Sequence, residues 1–241
     1  MSISLRSADQ DALEGVPDGH TYRLSDDQYR RTIEAGIIPD QVGLRDGFLR
    51  LKPDGGDYRL SVDQYRAMAD ADILTADDRI ELLEGWLVAK MTKHPPHTIA
   101  KGLTRDALAD VTPEGWFVTT EDPVTALDSD PEPDISIVRG MIRDYPDRAP
   151  GPRDVALIVE VADASLPRDR SMKKRLYARS GFGIYWLINL ARNRIEVYTD
   201  PTGPVEEPDY LGRQDFGPDE MIPVVIEGRE VGRLAVRDLL P

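Results

Sequence analysis

The stretch that decides the fold begins at residues 155–162, which read VALIVEVA, and continues into a basic helix. Nearly unbroken apolar runs of this length are typical of strands buried on both faces of a sheet. Glu160 interrupts the run, and a carboxylate in such a strand must be neutralised or paired. The alternative is an edge strand on which this glutamate faces solvent. The run therefore predicts a core strand and marks Glu160 as a candidate functional group.

A helix rich in positive charge is predicted after this strand, over residues 169–180, and Gly181 ends it. Residues 168–179 hold six basic side chains and one acidic side chain. Lys173 and Tyr177 lie four residues apart and hence on one face of the helix. A solvated helix face is the simpler interpretation of such a charge run, but its place directly after Glu160 favours contact with phosphate.

A second candidate carboxylate, Asp134, stands at the start of the predicted strand 134–138. An aspartate after proline is common in turns, and that interpretation would suffice for Asp134 alone. Two carboxylates on neighbouring buried strands are costly unless positive charge lies between them, and a divalent metal ion is the usual solution. Lys173, delivered nearby by its helix, would complete a site that cleaves phosphodiester bonds.

The remaining elements predict an α/β protein with a mixed sheet. A helix is expected over 97–109, where Ile99, Leu103 and Ala107 give it one apolar face. No glycine-rich phosphate loop follows any strand, and the order of elements does not suit a dinucleotide-binding fold. The other expected elements are short helices at 62–70 and 79–83, strands at 86–91 and 116–120, a hairpin of 184–188 with 195–198, and a loop at 200–218.

The N-terminal part of the chain contains a partial duplication. Residues 22–30, YRLSDDQYR, recur as YRLSVDQYR at 58–66, and each copy opens with a Ser-x-x-Gln capping box. Two copies are too few for a solenoid, whose units must stack to bury a core. Residues 52–57 read as a linker. We therefore predict a non-catalytic appendage over 1–56 and a main domain over 57–241.

Composition limits the class of protein. The 241 residues carry a formal net charge of −14, which makes the chain a poor non-specific ligand for DNA. The absence of cysteine excludes disulfides and thiolate metal sites and fits a reducing cytoplasm. No apolar run approaches the length of a membrane span, and residues 1–13 lack the apolar centre of a secretory signal. A cytoplasmic location is therefore expected.

From about residue 58 onward the chain resembles the Uma-two family of restriction endonucleases, a branch of the PD-(D/E)XK nuclease superfamily. The resemblance spans about three quarters of the sequence, and its strongest block runs from Asp169 to Leu187. The matching residues are Arg79, Glu81, Leu82, Gly85, Met91, His97, Pro133, Asp134, Val159, Glu160, Val161, Asp169, Arg170, Lys173, Tyr177, Ala178, Arg179, Gly181, Tyr185, Trp186, Leu187, Val197 and Tyr198.

The resemblance implies a restriction-endonuclease-like core, in which helices flank a mixed sheet, and a metal-dependent nuclease that acts on DNA as a homodimer. Asp134 and Glu160 would ligate Mg²⁺, or Mn²⁺ in its place, with the main-chain carbonyl of Val161. Glu81, expected on the first core helix, would complete the metal shell. Lys173 would orient or deprotonate the attacking water, or stabilise the charge of the transition state.

Three further residues are expected near the nucleic acid. Arg170 and Arg175 are candidate phosphate contacts. His97 matches a recurrent histidine of the family. It could contact a phosphate or the metal shell, although a structural or supporting role is favoured. The pair His94 and His97, without cysteine or another clustered ligand, is a weak signature for zinc.

Two departures from the superfamily pattern leave alternatives open. Ala162 occupies the position two residues after Glu160 where the superfamily has a lysine, and Lys173 would replace that lysine. The usual Ser-Pro-Ser after the strand is here residues 163–165, Asp-Ala-Ser, whose extra carboxylate could recruit a second metal or add repulsion. A catalytically inactive nucleic-acid-binding or assembly module with the same fold, and a hydrolase of another phosphate ester, are the two rival hypotheses.

Overall fold

The computed structural model describes residues 21–53 and 55–241, so the part of the predicted appendage at residues 1–20 lies outside the described residues. The helices are α1 (Asp26–Glu34), α2 (Val62–Asp70), α3 (Pro95–Val111), α4 (Leu166–Arg168) and α5 (Lys174–Ser180), with a π-helical segment, Asp169–Lys173, joining the last two. The strands are β1 (Val42–Arg45), β2 (Phe48–Leu51), β3 (Ile80–Leu83), β4 (Trp86–Ala89), β5 (Trp116–Thr119), β6 (Ile135–Arg139), β7 (Val155–Ala162), β8 (Ile184–Asn189), β9 (Arg194–Pro201), β10 (Tyr210–Phe216), β11 (Met221–Ile226) and β12 (Arg229–Ala235).

Six strands form the central sheet, in the order β10-β9-β8-β7-β6-β5. Strands β7 and β8 are parallel, because the helical segment 166–180 crosses over between them, and the other neighbours are antiparallel. The predicted α/β class with a mixed sheet is confirmed. Strand β7 lies inside the sheet and is buried almost throughout, as its apolar run predicted.

Alternate residues of β7 enter two separate cores. Ile158 and Ala162 belong to the apolar cluster that includes residues of α5, whereas Leu157, Val159 and Val161 belong to the cluster that includes residues of α3. The alternation follows from the two-residue period of a strand. Because β6 is antiparallel to β7, with Ile135 opposite Val159, the start of β6 lies beside the end of β7. This pairing places Asp134 near Glu160.

A short helix was predicted over residues 79–83, but Ile80–Leu83 form strand β3 of a hairpin with β4. The turn between these strands decides the difference. Glu84 and Gly85 both have positive φ, 50° and 77°, which is the backbone of a two-residue turn that continues two antiparallel strands. A run of five residues is too short for its periodicity to separate helix from strand.

The region 200–218, predicted as a loop, contains the edge strand β10, which pairs with β9 from Tyr210 opposite Pro201 to Phe216 opposite Ile195. Polar and glycine residues within this strand hid its alternation. The apolar face predicted for α3 is also wrong, because Ile99 and Leu103 are exposed. The helix instead packs through the residues His97, Ala100, Thr104 and Leu108.

The two N-terminal repeats each form a capped helix followed by a hairpin, α1 with β1 and β2, and α2 with β3 and β4. Both repeats contribute to one apolar cluster, in which Leu24 and Val42 of the first repeat join Leu60 and Ile80 of the second. The boundary at residues 52–57 stays a prediction. None of the helices among the described residues is long and apolar enough to cross a membrane.

Candidate active site

The predicted catalytic residues meet in one pocket of about 340 Å³, at the end of the sheet where β6 begins and β7 finishes. Glu81, Asp134, Glu160, Val161 and Lys173 all line this pocket. The four side chains that carry charge are almost completely buried. The site that the sequence predicted from distant motifs is therefore assembled in space by the antiparallel pairing of β6 and β7 and by the helix after β7.

Glu160 is a buried carboxyl group of the pocket with two hydrogen-bond donors. Its Oε1 atom accepts hydrogen bonds from the Lys173 ammonium, at 2.8 Å, and from the Tyr177 hydroxyl, at 2.7 Å. Burial, aided by repulsion from Asp134 and other carboxyl groups, raises the pKa of Glu160 to about 8, although Lys173 acts in the opposite direction. Burial thus opposes the charged form of Glu160 more strongly than the Lys173 ammonium favours it.

Lys173 stands on the π-helical segment and reaches two glutamates. Its Nζ atom lies 2.8 Å from Glu160 and 3.5 Å from Glu81. Burial alone would lower the pKa of Lys173, but the charges of Glu160, Glu81 and Asp169 outweigh burial and raise that pKa above its usual value. The lysine is therefore an ammonium donor at neutral pH, and it points into the pocket as the sequence required.

Asp134 is held by three donors at the start of β6. Its Oδ2 atom accepts from the Val161 N–H at 2.8 Å and lies 3.0 Å from Nε2 of His97, while Lys93 donates to Oδ1 at 2.8 Å. Burial would raise the pKa of Asp134, but His97 and Lys93 outweigh it and hold that pKa below its usual value. In a strand, the N–H and C=O of one residue point to the same neighbour. The Val161 carbonyl is therefore also directed to the Asp134 side.

Glu81 contributes to the pocket from β3 and not from a helix, which corrects the predicted element. Alternation along β3 turns Glu81 towards Lys173. The Glu132 N–H donates to its Oε2 atom at 3.4 Å. Glu81 thus lies in the pocket, but on a strand and not on the expected helix, and its role as a metal ligand stays a prediction.

Three residues that line the pocket or bind one of its carboxylates are notable because they were not predicted as site residues. Lys93 binds Asp134, and no sequence pattern around it signals this contact. Asp169 lines the pocket, is buried, and has an Oδ1 atom with no hydrogen-bond partner among the described residues. Burial raises the pKa of Asp169. Tyr177 lies outside the pocket lining and packs in the core, but its hydroxyl also donates to Glu160. The spacing of Asp169, Lys173 and Tyr177, four residues apart, could have indicated a shared face.

Of the three residues predicted to lie near the nucleic acid, one lines the pocket and two do not. His97 lines the pocket and supports Asp134, in line with the favoured supporting role. Arg170 and Arg175 do not line it, because each is paired with a carboxylate elsewhere: Arg170 with Glu196, and Arg175 with Glu84 at 2.6 Å. Their contact with phosphate stays a prediction, and it would require them to leave these partners.

The carboxylate oxygens that line the pocket are the type of ligand that a divalent cation prefers. Mg²⁺ prefers oxygen ligands and is held by one or two carboxylates with several waters. Four buried carboxyl groups line the pocket, at Glu81, Asp134, Glu160 and Asp169, and burial, with a smaller contribution from the other three carboxyl groups, raises the pKa of Glu160. Within residues 21–53 and 55–241, no three acidic or histidine side chains are already grouped as a metal cage. Oxygens of Glu81, Asp134 and Glu160 are engaged instead by the lysines, His97 and Tyr177.

The mixed sheet with an acidic, lysine-containing pocket at its end defines a nuclease-like α/β protein. A family model described as "Uma2: Putative restriction endonuclease" matches residues 62–234, and the chain belongs to this family. The fold is similar to the crystal structure of a putative nuclease belonging to DUF820 from Anabaena variabilis ATCC 29413, with 17% identity and a TM-score of 0.56. That match covers 75% of this chain and 97% of the other. No curated protein matches the chain.

Family membership supports a nuclease function in general and a hydrolase as the class of enzyme. It also supports nucleic acid as the partner. The matched range begins after the first repeat, so residues 22–51 lie outside it. The metal ion, the kind of nucleic acid and the role of each pocket residue are taken up as proposals below.

Proposed function

We propose that the chain is a Mg²⁺-dependent endonuclease that hydrolyses phosphodiester bonds in DNA. One observation carries the proposal: Glu81, Asp134, Glu160 and Lys173 line a single pocket although they come from four separate segments. Each of them is buried, and burying a charged group is costly unless it is paired or coordinates a metal ion. Perturbed pKa values clustered in a pocket are typical of functional sites.

Asp134, Glu160, Glu81 and the main-chain carbonyl of Val161 would hold the metal ion, with Mn²⁺ as a possible replacement for Mg²⁺. When bound, such an ion supplies Lewis acidity to the scissile phosphate and lowers the pKa of a water molecule. His97 and the Val161 N–H fix one oxygen of Asp134. These two contacts would keep the carboxylate oriented, which is the usual work of groups that surround a metal ligand.

Lys173 would act as a cation, because the surrounding carboxylates raise its pKa. An ammonium group cannot accept the proton of the attacking water, so stabilising the charge on the phosphate and orienting the water remain as its roles. Arg79, Lys90 and Arg168 also line the pocket. These side chains would attract a phosphate locally although the whole chain is strongly acidic.

The proposal is tested by incubating the purified chain with supercoiled plasmid and Mg²⁺. Glu160→Gln and Asp134→Asn keep the size of each side chain and remove its charge. We expect the wild type to nick the plasmid and both variants to lose activity by about 100-fold or more, the usual scale for a group that acts on the transition state. Equal nicking by all three chains, or none by the wild type across DNA and RNA substrates, would contradict the proposal.

A second candidate is a nucleic-acid-binding or assembly module without catalysis. The observation that favours it is the pairing of both central carboxylates with lysines of the chain, Glu160 with Lys173 and Asp134 with Lys93. Titration calorimetry with Mn²⁺ separates the two candidates. Binding heat that disappears in Asp134→Asn supports the nuclease. An absence of binding heat in the wild type supports the inactive module.

A homodimer would let two such pockets cut both strands of a duplex, and the cysteine-free chain suits a reducing cytoplasm. Both statements belong to the proposal. Sedimentation of the wild type with and without a DNA duplex tests the first of them. A monomeric mass in both conditions would remove the dimer from the proposal and leave cleavage of single strands.

A further inference from the structure

The two N-terminal repeats dock on each other through contacts that occur twice. Repeat one is residues 22–51 and repeat two is residues 58–89. The Tyr22 N–H of repeat one donates to the Leu87 carbonyl of repeat two at 2.8 Å. The Tyr58 N–H of repeat two donates to the Leu49 carbonyl of repeat one at 3.0 Å. Tyr22 aligns with Tyr58, and Leu49 aligns with Leu87, so the two bonds are one contact made in both directions.

The side chains of the capping boxes repeat the same relation. Gln28, in the capping box of α1, also donates through Nε2 to the Ile73 carbonyl of repeat two at 3.2 Å. Gln64, in the capping box of α2, donates through Nε2 to the Ile37 carbonyl of repeat one at 2.9 Å. Gln28 aligns with Gln64, and Ile37 aligns with Ile73. A backbone bridge likewise occurs twice, between Thr21 and Val88 and between Asp57 and Arg50.

Contacts in which residue i of one unit meets residue j of the other, and j meets i, define a two-fold, self-complementary interface. We infer that the face of repeat two now covered by repeat one is such an interface, and that the partner it fits is repeat two of another copy of this chain. Repeat one takes the place of that second copy within a single molecule.

The two repeats differ in the face that points away from their shared contact: this face is apolar and buried in repeat two, and polar in repeat one. Leu83 and Val88 of repeat two are fully buried against the nuclease core. The aligned residues of repeat one are Arg45, which is exposed, and Arg50, which is partly exposed. Repeat one therefore keeps the docking face and has a polar outer face, so it covers repeat two and cannot seat a second nuclease core. A homodimer of the intact chain must use another surface.

One aligned pair of buried helix residues differs in size. Thr32 of α1 and Met68 of α2 are both fully buried. A pair of second repeats would place a methionine at both positions. Methionine adapts to irregular space better than other large side chains, so the pairing can still form. The added volume is expected to give it lower affinity than the docking within one chain.

The test exposes the face of repeat two in the full-length chain. Leu24→Asp combined with Leu49→Asp places charges in the docking face of repeat one, while the aligned control Leu60→Asp with Leu87→Asp damages repeat two. We expect the first variant to sediment as a discrete dimer that dissociates on dilution, and the control to form no such dimer. Leu24→Ala, which adds no charge, replaces the first variant if that variant does not fold.

A matched pair of further substitutions identifies the contact. Gln64→Glu keeps the capping acceptor and removes the Nε2 donor, which binds the Ile37 carbonyl in the intact chain. In the dimer the same donor would bind the Ile73 carbonyl of the other copy, and this bond would be made twice. In the exposed background the substitution should weaken dimerisation by about tenfold or more, and Gln28→Glu should leave it unchanged. Three results would overturn the inference: a folded monomer at about 100 μM, a dimer indifferent to Gln64→Glu, or unfolding in both backgrounds, since the exposed face would then have found no partner.

Discussion

Glu160 and Glu196 lie in one row across the central sheet, with Leu187 between them, and both carboxylates are buried. Their surroundings differ in the charges that they contain. Glu196 accepts from Arg170 through two nitrogens, and also from the Asn189 amide at 2.9 Å and the Tyr198 hydroxyl at 2.7 Å. Glu160 has one ammonium and one hydroxyl for partners and faces other carboxyl groups.

The pKa values follow from these surroundings. Burial alone would raise the pKa of Glu196, but its hydrogen bonds from Arg170, Asn189 and Tyr198 outweigh burial and hold that pKa below its usual value. For Glu160, burial and repulsion prevail, and the pKa is raised to about 8. A buried carboxylate whose hydrogen bonds are complete stabilises the fold. One left in an excess of negative charge is available to a cation from outside the chain.

The largest expected difference between the two glutamates is in catalysis. Glu160→Gln should lower plasmid nicking by about 100-fold or more, because the pocket loses a charge that acts on the reacting phosphate. Glu196→Gln should leave nicking within about twofold, since Glu196 touches no pocket residue that the proposed reaction uses. Initial rates under one Mg²⁺ concentration measure both. Equal losses in the two variants would mean that the contrast of surroundings does not separate function from structure.

The sequence marked Glu160 as a candidate functional group but gave no sign that Glu196 is a second buried carboxylate with a different role. The apolar run around Glu160 made its burial visible, whereas Glu196 lies in a strand of mixed polarity whose burial depends on the Arg170 pair, 26 residues away. Non-local partners of this kind leave no local pattern. The same limit hid Lys93, which reaches Asp134 across 41 residues. Elements with a long pattern, such as β7 and the basic helix, were predicted correctly.

Local ambiguity accounts for the other errors. The helix expected at 79–83 is a strand because of the positive φ values at Glu84 and Gly85, which five residues of apolar pattern do not reveal. The apolar residues of α3 were assigned to the wrong face because Ile99 and Leu103 are the more hydrophobic, while the helix packs through His97 and small side chains. A bond to Asp134 fixes that rotation, and the sequence alone does not contain its geometry.

The next difference is in stability, when the cation of each glutamate is removed. Lys173→Met should lower the free energy of unfolding by about 3 kcal/mol, because breaking a buried pair leaves Glu160 and Glu81 without their ammonium. Arg170→Met should lower it by only about 1 kcal/mol, since Arg170 is 42% exposed and Glu196 keeps Asn189 and Tyr198. Urea unfolding curves measure both. Combining Lys173→Met with Glu160→Gln should restore part of the loss, and strict additivity would contradict the pairing.

The two glutamates should also give stability opposite dependences on pH. Glu196 has a lowered pKa when folded, so its contribution is present above the unfolded pKa and is lost as the pH falls through the folded value. Glu160 has a raised pKa, so its contribution is present below the unfolded value of 4.5 and is lost as the pH rises towards about 8.

Thermal melts in a chelator, between pH 5 and pH 8, measure the second of these effects. Over this range the wild type should lose on the order of 5 °C relative to Glu160→Gln, whose amide does not titrate. Glu196→Gln should keep the wild-type trend in the same range and differ only in acid. Parallel curves for the wild type and Glu160→Gln would show that this carboxyl group titrates normally.

The smallest expected difference follows from removing the tyrosine hydroxyl that donates a hydrogen bond to each glutamate. Tyr198→Phe removes one of several donors to Glu196 and should cost about 1 kcal/mol of stability, with nicking unchanged. Tyr177→Phe removes one of two donors to Glu160, which leaves Lys173 to position the carboxylate alone. It should lower the nicking rate by about three- to tenfold, a loss of positioning that is small beside the loss of the charge itself. Both substitutions keep the ring, so packing is matched. If Tyr198→Phe slows nicking as much as Tyr177→Phe does, the hydrogen bonds of Glu196 also support the pocket. The assignment of Glu160 to catalysis and of Glu196 to stability alone would then be wrong.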